Sequence, residues 1–467
     1  MFLFSKKNNS ISKKSWKFWL VFWTISFFLL AVWYLFLKVR KDGWFGLLSL
    51  SHPIVSILPI ENREKNEIKT VFDIVATLAE DKKEKTFLVL FQNDLELRPG
   101  GGFIGSFGIV KTQGEKVTFV DVHDTGVFDS RSASGIAPPY PMTKFLSIKD
   151  WELRDSNWSG DFPTNAQKAI ELYRIQGGTE NFDGVVAIST ELLKTFLKAT
   201  GPIEIEGYPG TYDSENAVTK LEYQVEKGYR EQDIEKGKRK YIMKDMAREL
   251  IDRAMKLDLS KKRALMEAIE NHLRNKDIMI YFADEILQDK VKQIGWAGEV
   301  KDSPSDYLMF LDANLGSLKS DLFIKRAYEY TVDFRGEKPI ATATIIYNHT
   351  ALTKDWMTSN YNGYLRVLCP KNSWLFASEN TGEQSFGDEL DKKVFGSLIF
   401  VKIGEIKKIS FSYYLPENIN QETYQLLLQK QSGVGDAPVK LKFISKDGSA
   451  KNYDLTLTGD LKVENIF

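Results

Sequence analysis

Near Gly316 the hydrophobic pattern of this 467-residue chain changes its period. Downstream, apolar and polar residues alternate over 323–334, 339–348, 363–369, 394–403, 406–415, 423–429 and 438–444, with Gly, Pro, Asn and Asp between the runs. A period of two puts neighbouring side chains on opposite faces of a strand, whereas a period near 3.6 gathers them on one face of a helix. Strands without intervening helices predict an all-β sandwich of immunoglobulin-like type over 319–467. Upstream, strand-like runs at 86–92, 103–111, 116–122, 182–188, 277–282 and 307–311 are interleaved with helical patterns at 163–176, 192–199, 234–257, 260–274 and up to Ile294. That alternation predicts a layered α/β domain over 84–318.

Residues 18–37, FWLVFWTISFFLLAVWYLFL, carry no charge. Twenty helical residues at 1.5 Å each cross a hydrocarbon core about 30 Å thick. Trp16, Trp19, Trp33 and Tyr34 stand near its ends, as interfacial aromatics do. Lys38, Arg40 and Lys41 follow it, where a cleaved signal peptide would have small residues. Lys6, Lys7, Lys13, Lys14 and Lys17 precede it and favour a cytoplasmic N-terminus. The expectation is a basic cytoplasmic tail (1–17), a transmembrane helix (18–37), a membrane-proximal connector and helix (38–83), and a single-pass cell-membrane protein with its bulk outside the cytoplasm.

Composition removes several function classes. The 63 basic and 63 acidic residues balance, so no chain-wide basic field exists to hold nucleic acid. The single cysteine allows no intramolecular disulfide. Four histidines, with no Cys-x-x-Cys and no His-Glu-x-x-His, do not supply a zinc site. No Gly-x-Ser-x-Gly elbow organises a serine triad.

Chemistry is densest in Asn93-Asp-Leu-Glu-Leu-Arg-Pro-Gly-Gly-Gly-Phe-Ile-Gly-Ser-Phe107. Asn93, Asp94, Glu96 and Arg98 are candidate ligand-binding residues, with Asp94 a candidate metal ligand. Glycines let backbone N–H groups approach a ligand, and an arginine fork fits a carboxylate or phosphate. The competing reading is a glycine-rich turn with Glu96 and Arg98 paired in solvent. A second block, Arg154-Asp-Ser-Asn157, precedes a helix that Asp161 can cap; Arg154, Asp155 and Asn157 are candidates there. A basic cluster of Arg230, Lys236, Lys238, Arg239 and Lys240 is either a solvated helix face or a clamp on pyrophosphate or lipid head groups, Arg230 and Arg239 being the candidates. Asp121, His123, Asp124 and Asp129 are either a metal cluster or surface pairs.

Phe91-Gln-Asn-Asp-Leu-Glu-Leu-Arg-Pro-Gly-Gly-Gly-Phe-Ile-Gly105, Arg154-Asp-Ser-Asn-Trp-Ser-Gly-Asp-Phe-Pro163, Phe182-Asp-Gly-Val-Val-Ala-Ile188, Thr200-Gly-Pro-Ile203 and Asp312-Ala-Asn-Leu-Gly316 resemble the blocks of the bacterial family called domain of unknown function 4012. The resemblance implies single-pass envelope proteins whose activity is not established. The block order also resembles, more distantly, the LytR-CpsA-Psr family, which transfers glycopolymers from polyprenyl-pyrophosphate carriers using magnesium-binding aspartates and pyrophosphate-binding arginines. On that likeness Asp94 and Arg98 match one block, Arg154 and Asp155 another, and Arg230 and Arg239 the basic helix. Where that family continues with Arg-Ser-Asp, this chain has Gly100 to Gly105.

Two functions follow as expectations. One is a membrane-anchored envelope protein that binds, and less surely transfers, a polyprenyl-pyrophosphate-linked glycan, with magnesium a possible cofactor. Arg98, Arg154 and Arg239 should then converge beside an apolar tunnel. The alternative is a non-catalytic envelope assembly or adhesion protein that makes protein contacts through the sandwich, for which exposed aromatics over 360–415 would speak. Nucleic acid is not an expected partner, and the residues leave open whether the protein is an enzyme.

Overall fold

In the computed structural model the described residues are 62–114 and 116–467. The expected tail, membrane span and most of the connector lie outside them. Among the described residues no helix is long and apolar enough to cross a membrane. The described residues divide into a unit of residues 62–84, 113–114 and 116 and a unit of residues 85–112 and 117–467. In the first, the helix Asn62–Glu80 lies within the expected connector and helix of 38–83.

The second unit begins with a mixed α/β layer. Strands β1 (Glu84–Arg98), β2 (Gly101–Gln113), β3 (Lys116–Asp124), β4 (Gly184–Ser189) and, after the short hairpin β5 (Ile203–Glu204) and β6 (Thr211–Tyr212), β7 (Ile278–Phe282) form it. The main sheet has the order β3-β2-β1-β4-β7, with β1 parallel to β4 and β4 antiparallel to β7. Alternate residues of β1 serve its two faces. Leu88 and Leu90 pack with Ala166, Ala169, Leu172 and Tyr173 of the helix Phe162–Ile175. Phe91 faces the side where the helices Thr190–Thr200 and Tyr241–Met255 share a separate core built on Leu197, Ile242 and Met246. Side-chain caps start three helices of this layer, the one at Asp161 as the sequence predicts. Asp161 accepts from Thr164 N at 3.0 Å, Ser189 from Glu191 N at 3.3 Å and Asp258 from Lys261 N at 3.0 Å, each cap worth about 1 kcal/mol. The long helix expected from 234 starts only at Tyr241, after a single turn at Lys236–Lys238.

The C-terminal region holds two six-stranded sheets. Its strands are β8 (Asp306–Asn314), β9 (Ile324–Asp333), β10 (Ile340–His349), β11 (Tyr361–Pro370), β12 (Trp374–Glu379), β13 (Gln384–Glu389), β14 (Lys392–Val401), β15 (Ile406–Tyr414), β16 (Leu426–Gln429), β17 (Ala437–Ile444), β18 (Ala450–Leu457) and β19 (Leu461–Val463). The sheet orders are β12-β15-β10-β9-β17-β18 and β13-β14-β11-β8-β16-β19. They share one core in which Tyr328, Val332, Ile345 and Phe411 of the first meet Phe310, Leu365, Val367 and Phe395 of the second. Most pairings are antiparallel, but β17 runs parallel to β9 and β16 parallel to β8.

The strand at 306–314 departs from the expected division. Read as the last strand of the α/β half, it pairs instead with β11 and β16. All nine of its residues are buried. Leu308 and Phe310 enter the shared core, while Tyr307, Met309 and Leu311 face a second cluster with Leu368 and Val394. A strand covered on both faces reads as a continuous apolar run rather than an alternating one, so its pattern does not reveal which sheet it joins.

Candidate functional site

β1 is 15 residues long and carries Asn93, Asp94, Glu96 and Arg98 within a strand rather than in a loop. Arg98 is 2% exposed. Its Nε lies 3.4 Å from Asp155 Oδ1, one terminal nitrogen donates to Glu96 Oε1 at 3.1 Å, and the other donates to the carbonyl of Asn314 at 2.9 Å. Asp155 also faces Arg154, Nε to Oδ2 at 3.8 Å, and Arg154 reaches Glu152 and Asp129. At the other end Lys319 Nζ meets Glu96 Oε2 at 2.8 Å. The result is a buried chain of alternating charges, Lys319–Glu96–Arg98–Asp155–Arg154. Burial opposes the charge on Arg98, but Glu96 and Asp155 beside it hold it charged. Burial likewise works against Glu96, yet Lys319 and Arg98 keep its carboxyl below the usual range. Burial pushes Asp155 up, with Arg98 and Arg154 opposing in part.

The glycines serve the chain's approach to itself. Gly100 N donates to Asn157 O at 2.9 Å, and Asn157 Nδ2 donates to Gly102 O at 2.7 Å. A Cβ on Gly100 would stand 2.3 Å from Asn165 Nδ2, and one on Gly102 would stand 2.2 Å from the Asn93 backbone. Asn157 is therefore a brace for the turn. The close approach that the sequence suggested for a ligand is taken up by Asn157, Asn165 and β1.

On the other face of β1 lies a cavity of about 130 Å³. Its apolar wall comes from Phe91, Phe103, Leu193, Leu221, Val225 and Met243, and its polar lining includes Asn93, Glu222, Arg239, Lys240 and Lys319. Asn93 Nδ2 donates to Glu222 Oε2 at 3.0 Å, and Lys319 stands 3.4 Å from Glu222. Arg239 Nε donates to Asp124 Oδ2 at 2.8 Å and its NH1 lies 3.3 Å from the exposed Glu226. Lys240 Nζ donates to the carbonyl of Gly105 and lies 3.6 Å from Asp124. Burial lowers Lys240 to about 8, with Asp124 opposing. The Arg98 guanidinium stacks behind this wall, 5.3 Å from the centre of the Phe103 ring.

Of the three arginines expected to converge, Arg98 and Arg154 meet on Asp155, while Arg239 stands on the cavity wall with Asp124. Arg230 is exposed and stacks on Tyr229. Asp94, the expected magnesium ligand, accepts from the Thr190 hydroxyl and is not on the cavity wall. Burial raises it to about 6. The carboxylates and histidine of β3 and the helix after it meet separate partners. Asp121 pairs with Lys244 and His123, Asp124 caps the helix Thr125–Asp129, and Asp129 pairs with Arg154. Among the described residues no group of three His, Cys, Asp or Glu side chains comes together to hold a metal. Lys319 and Glu222 escaped the sequence reading because neither sits in a motif. Lys240 was visible as one member of the basic cluster. Thr195, His272 and Asp277 form a further relay, Oγ1 to Nε2 at 2.7 Å and Nδ1 to Oδ2 at 2.7 Å, which ties the helix Thr190–Thr200 to the helix Leu259–Arg274.

Asp129 gives the site a pH signature. Burial raises its carboxyl from 3.8 to about 7, with Arg154 opposing, and its Oδ1 is buried without a hydrogen-bond partner. Between about pH 4 and 7 the folded protein keeps a proton that the unfolded chain has released. Asp129 therefore subtracts stability as pH rises through that window. Asp129→Asn, which mimics the protonated form, should show a smaller fall in denaturant midpoint between pH 5 and pH 7.5 than the parent. An identical fall in both proteins would contradict the assignment.

No curated protein matches this sequence. Among solved structures, the chain is similar to protein gbs0355 from Streptococcus agalactiae at 13% identity, covering 46% of this chain and 75% of that one with a TM-score of 0.30. It is also similar to the Lin1025 protein from Listeria innocua at 12% identity, covering 51% and 87% with a TM-score of 0.27. The family model described as protein of unknown function (DUF4012) matches residues 82–225, the segment that contains β1 to β4, the glycine turn, the charge chain from Glu96 to Asp155 and much of the cavity wall. Over those residues, and not over the rest of its length, this chain is similar to the DUF4012 family.

Proposed function

We propose that this protein is a membrane-anchored, extracytoplasmic component of the cell envelope that binds a polyprenyl-pyrophosphate-linked glycan. The observation that carries the reading is the cavity behind β1, apolar within and lined on one side by Arg239, Lys240 and Lys319. An amphiphile with an anionic head needs that combination. The head displaces Glu226 from Arg239, an exposed pair whose loss costs little. At about 130 Å³ the cavity has the volume of roughly four waters, so it holds only the head-proximal carbons of a prenyl chain. Of the carboxylates on the cavity wall, Glu222 is held by Asn93 and Lys319 and Glu226 by Arg239, and the proposal is one of binding, not turnover. The two sheets around one core support an immunoglobulin-like sandwich beside this binding domain.

Titration of the full-length protein in detergent with farnesyl pyrophosphate tests the reading. Val225→Trp, which fills the cavity, and Arg239→Ala, which removes a head contact, are each expected to weaken binding at least tenfold, equivalent to about 1.4 kcal/mol. Inorganic pyrophosphate should bind far more weakly than the prenyl ester and be insensitive to Val225→Trp. Equal affinity of the parent and both variants would defeat the proposal.

A further inference from the structure

The outer face of β12 and β15 carries a second site, and we infer that it binds a neutral hexopyranose chain. Trp374 and Tyr414 are paired across these strands and are 74% and 36% exposed. Phe376, 47% exposed, continues the strip along β12, its ring 4.8 Å from that of Tyr414. Phe376 stands at a β-bulge between Leu375 and Ala377 and has no partner in the ladder with β15. Trp374 and Tyr414 open onto a groove of about 910 Å³, whose remaining lining includes Asn372, Asn418, Glu337, Lys338 and Glu417. All five of these side chains are exposed.

The chemistry of the lining selects the occupant. An exposed aromatic face is electron-rich and apolar, which suits the polarised C–H face of a pyranose ring. Amides and carboxylates at its margin offer donors and acceptors to hydroxyls, which are themselves both. Charge disfavours an anionic polymer. Lys338 is bridged to Glu417 at 3.0 Å, which leaves Glu337 in excess, so phosphate groups would meet repulsion. The platform stands on strands and therefore keeps its geometry without a ligand. β12 is also the last strand of its sheet, so a protein adding a strand there is the competing occupant. Such a partner would use the backbone edge rather than the ring faces. No residue lines both this groove and the cavity behind β1, so either assignment can fail without the other.

The test is binding of cellohexaose and chitohexaose to the full-length protein in detergent, followed by tryptophan fluorescence and calorimetry. Polyphosphate serves as an anionic control, and co-sedimentation with purified peptidoglycan sacculi distinguishes a wall glycan from other sources of the same chemistry. At least one neutral hexasaccharide should bind. Trp374→Ala and Tyr414→Ala should each weaken it about tenfold, and Trp374→Phe should recover part of the loss. The thermal midpoint should stay unchanged, because both rings project from the surface. The inference is overturned if neither neutral probe binds, if the alanine variants bind as well as the parent, if polyphosphate binds better than the sugars, or if the variants lose only a protein partner.

Discussion

Arg98→Ala is expected to lower the unfolding free energy by about 3–5 kcal/mol, the range for breaking a buried ion pair from one side. The guanidinium touches two carboxylates and the carbonyl of Asn314. Its removal leaves Glu96 with Lys319 alone and Asp155 with the more distant Arg154 alone, and both carboxylates are more costly charged in a dry site than in water. Lysine does not rescue it, because a point charge cannot serve Glu96, Asp155 and Asn314 at once. Glu96→Gln and Asp155→Asn placed on Arg98→Met should recover stability relative to Arg98→Met alone, since then no buried charge is left unpaired. Both sequence readings of Arg98, a ligand clamp and a solvent pair with Glu96, leave the fold independent of it; the buried geometry makes the fold itself the first casualty. Denaturant unfolding followed by tryptophan fluorescence decides the matter. A loss under about 1 kcal/mol for Arg98→Ala would return Arg98 to the status of an ordinary surface pair.

Gly102→Ala is the second large effect. The added methyl would sit 2.2–2.4 Å from the Asn93 and Asp94 backbone, and backbone in a five-stranded sheet cannot step aside as a side chain does. Overpacking usually costs about 1–3 kcal/mol. Here the upper end of that range, or loss of soluble folded protein, is expected, because the displaced strand also carries Glu96 and Arg98. Gly237→Ala is the control, since nothing lies within 4 Å of its Cβ and its backbone is in an ordinary conformation. It should stay within about 0.5 kcal/mol of the parent. Comparable losses in both variants would mean that the steric argument fails.

The elements that became legible in the sequence are those with local causes. Asp161 announces its helix because a cap acts over three residues. β9, β10 and β15 announce themselves because one face is core and the other is not. β12 and β13 were missed because each is a sheet edge whose side chains are mostly exposed, so no apolar alternation is imposed on them. The site shows the same limit. The block from Asn93 to Arg98 stood out by its density of charge. Its meaning depends on Asp155, Asn314 and Lys319, which lie 57, 216 and 223 residues from their partners in β1. No period or spacing encodes a contact of that reach.

The placement of β8 has a consequence for the order in which the chain can mature. Gln431 closes both sides of Asp312, accepting from its N–H at 2.7 Å and donating to its carbonyl at 2.8 Å, and it also donates to the carbonyl of Arg98 at 2.9 Å. Asp460 holds Lys276 and Lys301. Synthesis runs from the N-terminus, so β1 exists for more than 330 residues of elongation before the side chain that seals it is made. During that interval the Glu96–Arg98–Asp155 charges are wet, and the β8 strand lacks β11 and β16. A nascent chain of this kind keeps apolar surface and strand edges uncovered until its last strands arrive. Early termination anywhere before Gln431 then removes more than the last strands: it leaves the α/β layer open at its own first strand.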